Sequence, residues 1–256
     1  MMEAIKLKEV TAVYYGKKSS TLAIEDVTLS VDDGEFVSVI GPSGCGKSTL
    51  LKTVSGLLVP TKGEVYIKGK KVEGPQLGIG MAFQDPNLLP WRTAIKNVLL
   101  PIEIIKENLM EYRKKALELF NLVGLSGFEE KYPWELSGGM QQRVSLIRAL
   151  IHEPDILLLD EPFGALDALT REEMNLELQK LWMTKKKTIL FITHSIQEAV
   201  FLSDRVAVMS SRPGKIVHEE KIELKRPRNL EVVGGEEFIK HINLLRSKLG
   251  LKGGMD

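Results

Sequence analysis

The chain has 256 residues, and its 35 Lys and Arg against 34 Asp and Glu leave a formal charge of +1. That balance excludes a protein held to nucleic acid or anionic lipid by bulk attraction, which needs a strong basic excess or a long basic face; the densest basic run is Lys185, Lys186 and Lys187. A hydrophobic fraction of 43% supports a sizeable core, and the single cysteine, Cys45, excludes an intramolecular disulfide and a Cys-rich zinc module and fits a reducing compartment. Residues 1–10 carry charges where a secretory signal is apolar, and the apolar run Ile156, Leu157, Leu158 and Leu159 is far too short to span a bilayer. These features predict a soluble, cytoplasmic protein.

Alternating apolar and polar residues over 4–14 and 22–31 predict two half-exposed antiparallel strands. Residues 36–40 are densely apolar, as in a strand buried on both faces. Gly-rich 41–46 follows, then a helix from Lys47 to about residue 57. Strands are expected at 63–68 and 79–83. Between residues 90 and 151 the strand signal gives way to helical periodicity, with 107–123 an amphipathic helix. Strand and helix then alternate: strand 156–159, helix 168–184, strand 188–193, helix 195–202, strand 205–209. That rhythm implies a parallel sheet flanked by helices. The division expected is 1–89 for a β subdomain and the first part of the core, 90–151 for an inserted helical subdomain, 152–211 for the rest of the core, and 212–256 for a tail with a charged strand and a helix at 236–249.

Gly41, Pro42, Ser43, Gly44, Cys45, Gly46, Lys47 and Ser48 satisfy G-x-x-x-x-G-K-[ST] between a predicted strand and a predicted helix, the context of a phosphate-binding loop. Such a loop turns backbone N–H groups and a helix N-terminus onto phosphates, with Thr49 continuing the cradle. Lys47 would reach the β- and γ-phosphates and Ser48 would offer its hydroxyl to Mg²⁺. The apolar strand 156–159 ends in Asp160 and Glu161, and ligands of open α/β sheets lie beyond the carboxyl ends of the strands. Asp160 would hold Mg²⁺ through water, and Glu161 would be the base for the attacking water. Cys45, at a helix start, is either a reactive thiol, whose alkylation would block hydrolysis and against which ATP would protect, or a small residue that the loop tolerates.

Leu136, Ser137, Gly138, Gly139, Met140, Gln141, Gln142 and Arg143 open a helix, with Ser137 as N-cap and Gly138 and Gly139 leaving the first-turn N–H groups open to a phosphate. Behind a phosphate loop, this stretch resembles the signature sequence of the ABC ATPases. The resemblance covers about residues 5–212 and implies an α/β fold of the P-loop NTPase class, with a mostly parallel core sheet, an antiparallel β subdomain and an inserted α-helical subdomain. It implies that Tyr15, before Gly16, stacks on adenine, with Tyr14 on the opposite face as the alternative; residues 17–20 are extra relative to the family. Gln84 resembles the glutamine that joins the metal and nucleotide site to the helical subdomain. Ala165, Leu166 and Asp167 resemble the loop that faces a partner subunit, and His194 resembles the histidine on the γ-phosphate. His152, His218 and His241 match nothing and are expected to be solvated.

The family clamps each ATP between the phosphate loop of one subunit and the signature of another, so a homodimer is implied. Gln84, Asp85, Pro86, Asn87, Leu88, Leu89, Pro90 and Trp91 resemble the corresponding stretch of bacterial importers of the nitrate, sulfonate, taurine and bicarbonate group, as do Lys225, Arg226, Pro227 and Arg228. This implies ATP and Mg²⁺ as cofactors, transmembrane permease subunits as partners, an extracytoplasmic substrate-binding protein as an indirect partner, no nucleic acid, and a peripheral place on the inner face of the membrane. Leu88, Leu89 and Trp91 would contact the permease or pack internally. The cargo would be a small solute of that group or a thiamin-precursor pyrimidine; the alternative is an exporter or cell-envelope machine.

Overall fold

The computed structural model of the chain describes residues 3–16, 19–76 and 78–250. Lys17 and Lys18 of the extra residues, Leu77 and both chain ends lie outside the described residues, and with them the outer limits of the first and last expected segments.

Strands β1 (Glu3–Tyr15) and β2 (Ser20–Asp32) pair antiparallel, with register shifts along β1 that break the simple alternation. Strand β3 (Phe36–Ile40) is buried throughout and runs into the glycine-rich loop, from which α1 (Lys47–Val54) starts. This helix ends short of the expected residue 57. The cause is Gly56, at φ 78° and so close to the next loop that a Cβ there would fall 1.9 Å from Gly74 O. Strands β4 (Lys62–Ile67) and β5 (Lys70–Lys71) complete an antiparallel sheet of order β2-β1-β4-β5.

Strand β6 (Ile79–Ala82) returns the chain to the larger sheet. Helices α2 (Ala94–Val98), α3 (Leu100–Ile105), α4 (Leu109–Leu122) and α5 (Gly138–Leu150) follow. The third of these four begins at Leu109 rather than 107 because Asn108 caps it, accepting from Met110 N. Strand β7 (Ile156–Asp160), α6 (Ala168–Lys185), β8 (Thr188–Ile192), α7 (Ile196–Leu202), β9 (Arg205–Met209), β10 (Ile216–Lys221) and α8 (Glu236–Lys248) finish the fold. The larger sheet has order β10-β9-β3-β8-β7-β6, parallel except for β10 at one edge.

Residues of opposite parity in the central strands face two cores. Phe36, Ile40, Leu157, Leu159, Ile189, Phe191, Val206 and Val208 pack toward α2, α4–α8. Val37, Val39, Ile156, Leu158, Leu190, Ile192, Ala207 and Met209 pack toward α1 and the antiparallel sheet. Burial on both faces explains why these strands read as unbroken apolar runs. Both arrangements converge on the carboxyl ends of β3, β7 and β8. Among the described residues no helix is long and apolar enough to cross a membrane.

The remaining histidines are not simply solvated. His218 Nε2 lies 3.2 Å from Glu220 Oε2 and His241 Nδ1 lies 2.9 Å from Glu220 Oε1, so one carboxylate ties β10 to α8. Both ring nitrogens of His152 are buried without a hydrogen-bond partner among the described residues, and desolvation pushes its pKa down.

Candidate functional site

The loop after β3 owes its shape to glycines at two positions. Gly44 and Gly46 have φ of 71° and 111°, and a Cβ on Gly46 would fall 2.6 Å from Ile24 Cγ2 and 2.7 Å from Ala23 O. Gly46 caps α1 without a side-chain bond, so the first-turn N–H groups stay available to an anion. Lys47 is buried, and its Nζ donates to Gly41 O at 2.9 Å and Pro42 O at 3.0 Å. Cys45 is 1% exposed, its thiol against Gly41 and 3.9 Å from Lys47 Nζ. The reactive-thiol expectation is therefore corrected: a reagent cannot reach Cys45 in this fold.

Above the loop lies a cavity of about 280 Å³. Ser43, Gly44, Gly46, Lys47, Ser48 and Thr49 of the loop line it, together with the cluster Gln84, Glu161 and His194 and with Tyr14, Thr21, Ala23 and Arg212. Gly41, Pro42 and Cys45 shape the loop from behind and do not line the cavity. Tyr14 lines it, with its hydroxyl 3.3 Å from Thr49 Oγ1, whereas Tyr15 is 77% exposed and outside the lining. Strand alternation puts successive tyrosines on opposite faces, and the face toward the cavity belongs to Tyr14.

Asp160 sits beside the Ser48 hydroxyl, which works against the rise of its pKa. It is 4% exposed, burial raises its pKa, and Oδ1 is buried with no hydrogen-bond partner among the described residues. Glu161 turns out of β7 at φ 48°, a conformation that costs a non-glycine residue of order 1 kcal/mol and that its N–H bond to Ile192 O, at 2.9 Å, helps hold. This bend aims the carboxylate into the cavity. His194 Nε2 lies 2.6 Å from Oε1, and Gln84 Nε2 donates to Oε2 at 3.4 Å.

Sequence reasoning missed two members of this constellation. Gln142, buried on α5, donates from Nε2 to Gln84 O at 3.0 Å and to Glu161 O at 3.1 Å. A glutamine one turn inside a helix carries no signal until the fold shows what it bridges. Arg212 lies on the turn after β9, where its charge reads as surface decoration.

The signature residues stand apart. Ser137 caps α5, accepting from Met140 N at 3.3 Å, and Ser137 and Gly138 are exposed and outside the cavity. Gly139 packs where a Cβ would fall 2.9 Å from Leu166 Cδ2. Asp167 caps α6, accepting from Thr170 N at 3.0 Å and from Thr170 Oγ1 at 2.7 Å, also outside the cavity. Within one chain the structure brings the loop, Glu161, His194 and Gln84 together and leaves Ser137, Gly138 and Asp167 exposed outside the cavity, with Gly139 half-buried against Leu166.

The stretch 84–91 is pinned by Asn97, which accepts from Leu89 N at 2.7 Å, and by Arg148, which donates to Pro86 O at 2.7 Å and Asn87 O at 2.9 Å. Leu88 packs on the core and Trp91 is 70% exposed. Beside this stretch an apolar groove of about 300 Å³ is lined by Met81, Phe83, Leu100, Pro101, Ile104 and Ile105 among others.

A phosphate loop at the end of a central parallel strand, with an acidic pair at the end of the next strand but one, defines a nucleoside-triphosphate hydrolase. Comparison with known proteins narrows that class. The ABC transporter family profile matches residues 24–164. An uncharacterised ABC transporter ATP-binding protein of Methanocaldococcus jannaschii is 45% identical, covering 97% of this chain and 94% of the relative. An aliphatic sulfonates import ATP-binding protein of Bacillus licheniformis is 46% identical over 84% of each chain. A taurine import ATP-binding protein of Pelagibacter ubique is 45% identical over 83% of this chain and 80% of its own. Among solved structures, a dimeric ATP-binding cassette in a post-hydrolysis state with ADP and Pi matches with TM-score 0.79 and 39% identity, covering 86% of this chain and all of that one. The chain belongs to the ABC transporter ATP-binding family.

Proposed function

We propose that this chain is the ATP-hydrolysing subunit of an importer for a small solute, acting as a head-to-tail pair of copies beneath membrane permease subunits. The observation that carries hydrolysis is the placement of Glu161: its carboxylate enters the cavity above Lys47 and Ser48, braced by His194 and Gln84. ATP phosphates on the loop would draw Lys47 Nζ from its carbonyl partners onto the β- and γ-oxygens. A water on the γ-phosphate side would give its proton toward Glu161, while His194 holds that carboxylate and contacts the γ-phosphate. Tyr14, rather than Tyr15, would stack on adenine, since it alone of the two lines the cavity.

The unpartnered, buried Oδ1 of Asp160 beside the Ser48 hydroxyl is the donor set a hard cation takes. Asp160, Ser48 and Gln84 would hold Mg²⁺, which when bound neutralises charge on the phosphates. Half-site geometry supports the dimer: the exposed N-terminus of α5 would supply Ser137, Gly138 and Gly139 to the phosphates of the partner subunit's nucleotide, with Asp167 at the same interface. The solved dimeric cassettes support that assembly.

The groove beside 84–91 would receive a permease segment, with Phe83, Ile104, Ile105 and exposed Trp91 as apolar contacts and Leu88 inside the fold. The sulfonate and taurine relatives support an organic sulfonate as cargo, delivered by an extracytoplasmic binding protein, and a cytoplasmic place on the inner membrane face. Glu161→Gln tests the core of this reading: gel filtration with ATP and Mg²⁺ should show a stable dimer, and a monomer under those conditions would sink it. In cells lacking the protein, wild type should restore sulfonate uptake and Glu161→Gln should not.

A further inference from the structure

The turn after β9 is built against the phosphate loop. Gly214 N donates to Ala23 O at 3.0 Å, Glu25 N donates to Gly214 O at 3.0 Å, and a Cβ on Gly214 would fall 2.1 Å from Cys45 O. The turn is thus fixed to β2 on one side and to the loop on the other. From it Arg212 donates to Gly44 O through Nε at 3.1 Å and Nη2 at 2.8 Å. A guanidinium has five N–H groups and is always charged. Two are spent on Gly44; among the described residues no hydrogen bond engages Nη1 and no carboxylate pairs with the group. Arg212 also lines the cavity that the phosphate loop, Glu161 and His194 line.

We propose that Arg212 is a binding residue for the nucleotide, a second fixed cation, held on the phosphate loop at Gly44, that meets the phosphate chain. The inference rests on the nucleotide-site reading and adds to it a residue outside the phosphate loop. Its bonds go to the loop, whereas Glu161 is engaged by His194 and Gln84, so the role assigned to it is in affinity and not in chemistry. A charge-assisted contact of this kind is worth about tenfold in affinity.

The test uses the full chain with ATP or ADP, by equilibrium titration and by steady-state hydrolysis. Arg212→Gln should weaken ATP and ADP alike by about tenfold and raise KM for ATP to match, with kcat within about twofold. Arg212→Lys, which keeps the charge but loses the paired donors, should fall between. Adenosine, which has no phosphate, serves as a probe that should bind all three proteins equally. Unchanged ATP and ADP affinity would overturn the proposal, as would a lowered kcat with unchanged KM or an equal loss for adenosine. Lys47→Ala separates the two readings: if it too leaves ATP binding intact, the nucleotide site itself is misassigned, whereas abolished binding there beside an unaffected Arg212→Gln removes Arg212 alone.

Discussion

Glu161 and the paired tyrosines show how one backbone angle or one step along a strand decides function. A left-handed φ at Glu161 turns its carboxylate from the strand direction into the cavity. Tyr14 and Tyr15 differ by that single step, and only Tyr14 reaches the site. Tyr14→Ala should therefore raise the dissociation constant for ATP by about tenfold, the scale of one lost base–aromatic stack, while Tyr15→Ala should leave it unchanged. Titration of both variants with ATP checks this, and the reverse ranking would return the role to Tyr15. The sequence motif alone left both open because Gly16 follows a pair of aromatics, and a strand with register shifts has no alternation that can be read from one end.

At the scale of elements, the tail carries a lock. Arg228 is 1% exposed and donates through Nη1 to Val200 O, Phe201 O and Ser203 O at 2.8, 3.0 and 2.8 Å, the carbonyls that α7 leaves unsatisfied at its C-terminus. Its backbone exchanges hydrogen bonds of 2.7 and 2.8 Å with the Gln179 side chain of α6. Arg226 pairs with Asp204 at 2.9 Å and lies 4.2 Å from the Trp182 ring centre. Desolvation lowers the pKa of both arginines, though from a value so high that they stay charged at neutral pH. Arg228→Ala would strand several buried carbonyls and should cost about 3 kcal/mol, seen as a lower denaturation midpoint with nucleotide affinity retained. The basic run 225–228 was legible as a family resemblance, but its job was not. Charged residues in a tail read as solvated unless the helix end they cap is known. By contrast the β3 loop, the β7 acidic pair and α5 were legible because their chemistry is local: each needs particular residue types at fixed spacing along one turn or strand end.

For the whole molecule, Glu153 joins the inserted helices to the core. It pairs with Lys185 on α6 at 2.9 Å and Lys115 on α4 at 3.1 Å, which together hold its pKa down to about 2. A carboxyl whose folded pKa is depressed adds stability that is full above the ordinary carboxylate range and is lost as pH falls through about 2. Glu153→Gln should thus be less stable near neutral pH by no more than about 1 kcal/mol, since the group is half-exposed, and the gap should narrow with acid. Parallel thermal melts from pH 7 down to about pH 2 measure it, and a gap that widens would refute the assignment. Gln142 belongs to this scale as well. Its helix begins at the signature and, one turn in, grips the backbone of Gln84 and Glu161 in its own chain's cavity. In the proposed head-to-tail pair that helix would touch one ATP with its N-terminus and brace the catalytic wall of the other. The two ATP molecules would then be wired through a rigid rod, so that filling one prepares the other, and hydrolysis should rise with ATP at a Hill coefficient above one that Gln142→Ala brings back toward unity.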